Sequence, residues 1–221
     1  VQQTLVPYFK GKKITLDGLE PRHLQCFYTE KLRKVKPNTV IHYHAVIHQA
    51  LKYAVKTEII TSNPADKIDR PKKNDFTPNF CDAKEIIRLF EVVKGHRLEL
   101  PVLVAAFYGL RRGEVLGLRW DAIDFEQETI TINHTVTSFN VDGKHVILKQ
   151  NSAKTKSSMR TLPLVAQFKE YFLKAKAAQS ENRQICGKSY QREHEAYIFV
   201  DELGNLMRPG YITTEFPKLL K

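Results

Sequence analysis

Residues Phe107 to Phe125 read FYGLRRGEVLGLRWDAIDF, and the way this stretch breaks decides what the chain around it can be. Upstream, Pro101, Ala105, Ala106 and Phe107 carry a helical run that Gly109 interrupts, and Glu114 to Leu118 starts a further short helix. Arg111 and Arg112 sit at the junction. A glycine-flanked break between helices can hold a guanidinium near free backbone N–H groups, where its fork of donors favours an oxyanion such as a phosphate. The same spacing also suits an arginine paired with Glu114 on a surface turn, and spacing alone leaves both readings open. Trp120 reads as a core residue.

The chain around this break is basic. Its 221 residues suffice for one large domain or two modest ones, and 42% hydrophobic with 27% charged residues is a globular composition that excludes a disordered chain. A net charge of +11 points to a polyanionic partner, nucleic acid first. Residues 1–80 hold fourteen Lys and Arg against seven Asp and Glu, so the basic excess is concentrated in the first third. Apolar stretches such as Leu98 to Ala106 are far shorter than the roughly 20 residues that span a bilayer. Cys26, Cys81 and Cys186 are odd in number, widely spaced and without a C-x-x-C pair, as reduced thiols of a cytoplasmic protein would be. The Val-Gln-Gln start carries no secretory pattern.

Periodicity sets out the organisation. Leu19, Leu24, Phe27, Tyr28 and Leu32 predict a helix over Asp17 to Lys34, with Pro21 at an early position. A second helix is expected after Lys36-Pro37, capped by Asn38 or Thr39, running to about Lys56, with Val40, Tyr43, Val46, Ile47, Ala50, Leu51 and Ala54 inward. Thr61-Ser62-Asn63-Pro64 ends that unit. The expected division is a helical domain over 1–70, a Pro- and Lys-bearing linker over 71–81, and a second domain over 82–221. Asp82 and Glu85 have capping-box spacing at the start of the latter. Alternation from Thr129 to Thr137, the turn signal Asp142-Gly143 and His145 to Leu148 predict a β-hairpin, with Met159 to Leu164 as a third strand. Helical spacing resumes from Val165 to about Asn182, Tyr197 to Val200 suit a short strand, and Tyr211 to Leu220 a last helix. The fold class expected is mainly α with a small antiparallel β-sheet.

Two further segments bear on chemistry. Lys154-Thr155-Lys156-Ser157-Ser158-Met159-Arg160 places three cations in a turn between strands. Their side chains could reach a nucleic-acid groove or protonate a departing alkoxide, and a merely solvated loop would have the same composition. On the second helix, His44 and His48 have the i, i+4 spacing that can hold zinc, but no Cys, Asp or Glu nearby completes a set. The preferred reading lays this helix along DNA, with Lys36, Asn38, Thr39, His42 and Lys52 toward phosphates or base edges. Lys72 and Lys73 would make phosphate contacts where the linker crosses the duplex, or lie solvated.

Residues 107–125 resemble the first arginine box of the tyrosine recombinases, the phage-integrase family: Arg111, Glu114, Leu118, Trp120 and Ile123 fall on its pattern. AKTKSSMRTLPL, Ala153 to Leu164, resembles the family's β-hairpin lysine segment, with Lys154 in the lysine position and Arg160 and Pro163 completing the ending. KPNTVIHYHAVIHQALKYAVKTEIITSNPAD, Lys36 to Asp66, is similar to its helical core-binding domain. The wording as a whole is most similar to integrases of conjugative transposons. The resemblance implies a two-domain clamp on double-stranded DNA, a helical core-binding domain with a mixed α/β catalytic domain. It implies a metal-free, cofactor-free reaction in which a tyrosine attacks the scissile phosphodiester, giving a 3′-phosphotyrosyl link that a 5′-hydroxyl reverses.

Within the resemblance, Arg111 would stabilise the nonbridging oxygens and Lys154 would be the general acid. Arg112, Lys156 and Arg160 would bind DNA, and Glu114 would brace the arginine box rather than act as a base. Other protomers, in dimers or tetramers, and an accessory excisionase are the implied partners, with no membrane. The family's His-x-x-Arg box and nucleophilic tyrosine are not found after Lys154. Tyr211 lacks their context, so a C-terminally incomplete catalytic domain that binds DNA without cutting it is expected. The rival readings are a catalytically inert DNA-binding regulator or architectural protein with the same fold, and a metal-dependent nuclease, for which no convincing carboxylate cluster exists.

Overall fold

The computed structural model describes residues 3–75, 77–151 and 159–221. The chain forms two compact units, Val1–Asn79 and Phe80–Lys221. Among the described residues no helix is long and apolar enough to cross a membrane.

The first unit is helical: α1 (Leu5–Gly11), α2 (Pro21–Leu32), α3 (Pro37–Lys56) and a 3₁₀ turn over Pro64–Lys67. Proline opens both long helices at the first helical position, where its fixed φ fits and its missing N–H costs nothing. This shortens the helix expected from Asp17, which begins only at Pro21, and moves the cap of α3 from Asn38 or Thr39 to the extended Lys36. The short α1, which periodicity did not reveal, is held by one buried residue, Leu5. Leu24, Phe27, Tyr28, Val40, Ile47 and Leu51 form the core, with Phe27 edge-on to Tyr8 at a centroid distance of 4.7 Å. Asn63 closes the unit: its Oδ1 accepts from the Ala65 N–H at 2.9 Å and its Nδ2 donates to the His48 carbonyl at 3.3 Å.

The second unit opens on α4 (Ala83–Val93), where Asp82 accepts the Glu85 N–H at 2.8 Å and Glu85 accepts the Asp82 N–H at 2.9 Å, the reciprocal cap that the spacing predicts. α5 (Glu99–Tyr108) ends at Gly109, whose φ of 63° is the left-handed conformation that terminates helices, and α6 (Arg112–Leu116) starts three residues later. The strands are β1 (Ile123–Asp124), β2 (Thr129–Ile132), β3 (His134–Val141), β4 (Lys144–Asn151) and β5 (Arg160–Pro163), followed by α7 (Ala166–Cys186) and α8 (Pro209–Leu219).

The alternating run from Thr129 divides at Asn133 between two antiparallel sheets. β2 lies between β1 and β5, pairing Ile130 with Leu162, whereas β3 pairs with β4 through Val141 and Lys144 at the tip. Asp142 and Gly143 form the two-residue turn with φ of 47° and 77°, both left-handed as a tight hairpin requires. The third strand therefore adds to β2 rather than to the hairpin. The strand expected at Tyr197 to Val200 makes only isolated bridges, Arg119 to Tyr197 and Val200 to Leu206, because neither neighbour stays in register. The fold is mainly α with small antiparallel sheets.

The second core gathers Val104, Leu116, Ile130, Ile132, Val136 and Phe172. Helix α6 lies directly on the backbone of β3. A Cβ at Gly117 would stand 2.4 Å from the His134 carbonyl oxygen, and one at Gly113 would stand 3.1 Å from that of Val136. Gly117→Ala should therefore force backbone apart and lower the unfolding free energy by about 1–3 kcal/mol. Gly11→Ala, facing open space, should cost nothing in the same urea titration.

Candidate functional site

At the bend between α5 and α6 two arginines meet one carboxylate. Arg111 precedes α6 with extended backbone, and Glu114 follows in the first helical turn. The Arg111 N–H donates to Glu114 Oε2 at 2.9 Å and its Nη1 to Oε1 at 3.1 Å. Arg160, at the first position of β5 opposite Ile132, approaches from the sheet: Nη2 donates to Oε2 at 2.9 Å and Nη1 to Oε1 at 3.3 Å. The side-chain exposures are 7% for Glu114, 33% for Arg160 and 84% for Arg111. A buried carboxylate thus stays ionised beneath an exposed guanidinium. The hydrogen bonds from Arg160, more than any other contact, pull the Glu114 pKa below the ordinary carboxylate value against the opposing effect of burial, and Glu114 in turn raises that of Arg160. An exposed, braced guanidinium of this kind can grip a phosphate oxygen pair without reorganising.

Other expected residues take different places. Arg160, expected to bind DNA, has both terminal nitrogens on Glu114, since a buried carboxylate claims the nearest fork of donors. Arg112, also expected on DNA, is exposed; its guanidinium donates to the Thr213 hydroxyl and, at 3.5 Å, to the Pro209 carbonyl, fastening α8 to α6. Lys154 and Lys156 lie outside the described residues. Tyr211 is half-buried against the core with the Arg97 guanidinium 5.3 Å from its ring centre, in keeping with a packing role. Trp120 packs on the core and donates its indole N–H to Gln179.

Both ends of the segment carrying Lys154 are anchored. On the far side Arg160 holds Glu114. On the near side Asn151 Oδ1 lies 2.7 Å from His134 Nδ1, whose Nε2 meets the Tyr197 hydroxyl at 2.9 Å. Two residues before Asn151, Lys149 donates to His194 Nε2 at 2.8 Å and to Glu193 at 2.7 Å. Burial first, then Lys149, pushes the His194 pKa down, so the imidazole accepts as the neutral form. Each of these hydrogen bonds joins residues at least 17 positions apart, and His134 carried no motif; its place in the alternating pattern, inward beside Val136, was the available signal.

In the first unit, Lys36, His42 and Lys52 are exposed, while Asn38 and Thr39 are half-buried. Asn38 Oδ1 accepts the Asn74 N–H at 3.2 Å and so holds the extended segment rather than pointing to solvent. The helical turn of α3 also exposes Gln49, Tyr53 and Lys56, which complete the outward face with His42 and Lys52 and which periodicity alone would have found. Lys72 and Lys73 are exposed on the segment that follows. His44 meets the Tyr28 hydroxyl at 2.9 Å and His48 meets Asp66 at 2.8 Å. Among the described residues no group of three or more His, Cys, Asp or Glu is placed to hold a metal ion.

No protein-family model matches the chain. It is 30% identical over 224 residues to a tyrosine recombinase XerC-like protein of Caldanaerobacter subterraneus subsp. tengcongensis, an alignment covering 95% of this chain and 56% of that protein. The chain thus spans about half the length of this relative. The fold matches that of the Tn1549 transposon integrase in complex with a circular intermediate DNA, with a TM-score of 0.70 at 17% identity over 92% of this chain and 64% of that one. It also matches a lambda integrase tetramer bound to a Holliday junction, with a TM-score of 0.62 at 14% identity over 99% of this chain and 60% of that one.

Because the folded-state pKa of Glu114 is depressed, its contribution to stability is full above the unfolded-state value of about 4.3 and is lost as pH falls through the folded value. Unfolding titrations should show wild type more stable than Glu114→Gln at neutral pH, with the gap closing on acidification below about pH 4. A constant gap would mean that Glu114 is not held ionised by its two arginines.

Proposed function

Because this chain belongs to the tyrosine recombinases, we propose that it is the DNA-engaging part of a site-specific recombinase, an integrase that inserts and excises a mobile element of the conjugative-transposon kind in the cytoplasm. The observation that carries the reading is the exposed Arg111 guanidinium seated on the buried Glu114. Phosphoryl transfer asks little covalent chemistry of a protein and much positioning of charge, and Arg111 meets that need by donating to the nonbridging oxygens as negative charge shifts among them. Lys154 is the proposed general acid for the departing 5′-oxygen. A tyrosine nucleophile would form the phosphotyrosyl link and conserve the energy of the broken phosphodiester, so strand exchange needs no nucleotide cofactor. None of the tyrosines in these 221 residues has the family's His-x-x-Arg context, and taken alone they bind duplex DNA without cutting it.

The helical unit supplies the second set of contacts. Residues 1–70 act as the core-binding domain and 71–81 as the linker, with Lys36, His42 and Lys52 on α3 and Lys72 and Lys73 on the linker meeting phosphates or base edges. Thr39 lies at the margin of that surface. Pairs or tetramers of protomers on paired sites, with an accessory excisionase, complete the assembly. Hydrolysis by a metal-dependent nuclease would need a carboxylate cluster that the described residues do not form.

Phosphate-dominated binding should weaken steeply with salt, on the order of 1000-fold between roughly 50 and 200 mM for a surface making about six phosphate contacts; a flat response in a fluorescence titration would refute the basic surface. Expressed from its gene with any residues that follow Lys221, the protein should cleave a recombination-site duplex, and Arg111→Ala should slow that cleavage by about 100- to 1000-fold. Lys154→Ala should recover cleavage on a substrate whose bridging 5′-oxygen is sulfur, a leaving group that needs no proton. Absence of recovery would remove Lys154 from the general-acid role.

A further inference from the structure

Glu114 treats its two arginines unequally. Arg160 gives it both terminal nitrogens, while Arg111 gives it one terminal nitrogen and a backbone N–H. We infer that Arg160 is a positioning residue for Arg111: by filling the sheet-facing side of the buried Glu114 carboxylate, it keeps the Arg111 guanidinium from folding down into a two-pronged pair and leaves it turned outward for a phosphate. This inference rests on the proposal that Arg111 engages a phosphodiester.

The reasoning is one of acceptor capacity. An ionised carboxylate offers about four lone-pair sites, and four donors occupy them here. If Arg160 is removed, a carboxylate with 7% exposure loses two of those four donors with little water to replace them. The nearest flexible donors belong to Arg111, three residues away on the same turn, and the fork of a guanidinium fits both oxygens of a carboxylate. Arg111 would then be captured by Glu114 and lost to the DNA. Arg160 can hold its position because β5 is fixed in register against β2, with Thr161 and Thr131 hydroxyls 3.0 Å apart at the next pair. The one carboxylate thereby ties the arginine bend to the strand that follows the Lys154 segment.

The rival role for Arg160 is a direct phosphate contact, and a double-mutant cycle on the 221-residue chain separates the two. The local readout is reactivity of Arg111 toward an arginine-directed dicarbonyl reagent without DNA, mapped by mass spectrometry; the second is affinity for a short duplex of arbitrary sequence at two salt concentrations. In Arg160→Gln, Arg111 should react about tenfold more slowly, the shift that one charge-assisted hydrogen bond gives. In the Glu114→Gln background, where no carboxylate competes for Arg111, the same Arg160→Gln change should leave reactivity and affinity unaltered. Arg160→Lys, which keeps the charge without the fork, should fall between wild type and Arg160→Gln, and it carries the test if Arg160→Gln melts below the assay temperature.

Unchanged Arg111 reactivity in a cooperatively folded Arg160→Gln or Arg160→Lys chain would overturn the inference. So would a loss of DNA affinity that persists in the Glu114→Gln background with a weaker salt dependence, which would make Arg160 a phosphate contact. Failure of the wild-type chain to bind duplex would instead count against the proposed function, because the reactivity of Arg111 is read without DNA.

Discussion

A single carboxylate that is nearly out of solvent sets the terms for the second unit. Removing Glu114 from water is costly unless cations and N–H groups take over the work of hydration, and the structure supplies Arg111 from one side and Arg160 from the other. The arrangement joins residues 46 positions apart, a helical bend and a strand. Its by-product is an arginine with its charge in solvent and its base fixed, which is the state an oxyanion ligand requires.

The rest of the unit holds that bend in place. Left-handed Gly109 ends one helix so that another can begin at Arg112, and the glycines at 113 and 117 let this short helix lie on the carbonyls of β3 with no side chain between. Arg112 then clasps α8 through the Thr213 hydroxyl. His134 with Tyr197, and Lys149 with His194, perform a comparable service near the end of β4, pairing buried and half-buried polar groups with each other.

What the sequence disclosed and what it concealed divide along the range of the interactions. The Asp82 and Glu85 cap, the Asp142-Gly143 turn and the break at Gly109 each depend on a few neighbouring residues, and all were legible. The arginine box was legible as a pattern through the family resemblance, which also implied bracing by Glu114, whereas spacing alone left its pairing with Arg111 open. The contacts that Arg160 and Arg112 make within the protein were not legible, because their partners lie in other segments. The strand at Thr129 looked continuous because alternation has the same period in both sheets, while the change of partner at Asn133 is tertiary. His48 and Asp66 were not connected, because the return of the chain after Asn63, not any local periodicity, brings them together.

That change of partner separates the ribbon from the sheet that carries Arg160. Since β2 completes its pairing with β5 before the ribbon of β3 and β4 departs, residues can be gained or lost at the ribbon's outer end two at a time, one on each arm, without disturbing the register that sets Arg160 opposite Ile132. The tip, where Phe139, Val141 and Val146 are open to solvent, can therefore change in length and character without moving the Arg160 and Glu114 pair.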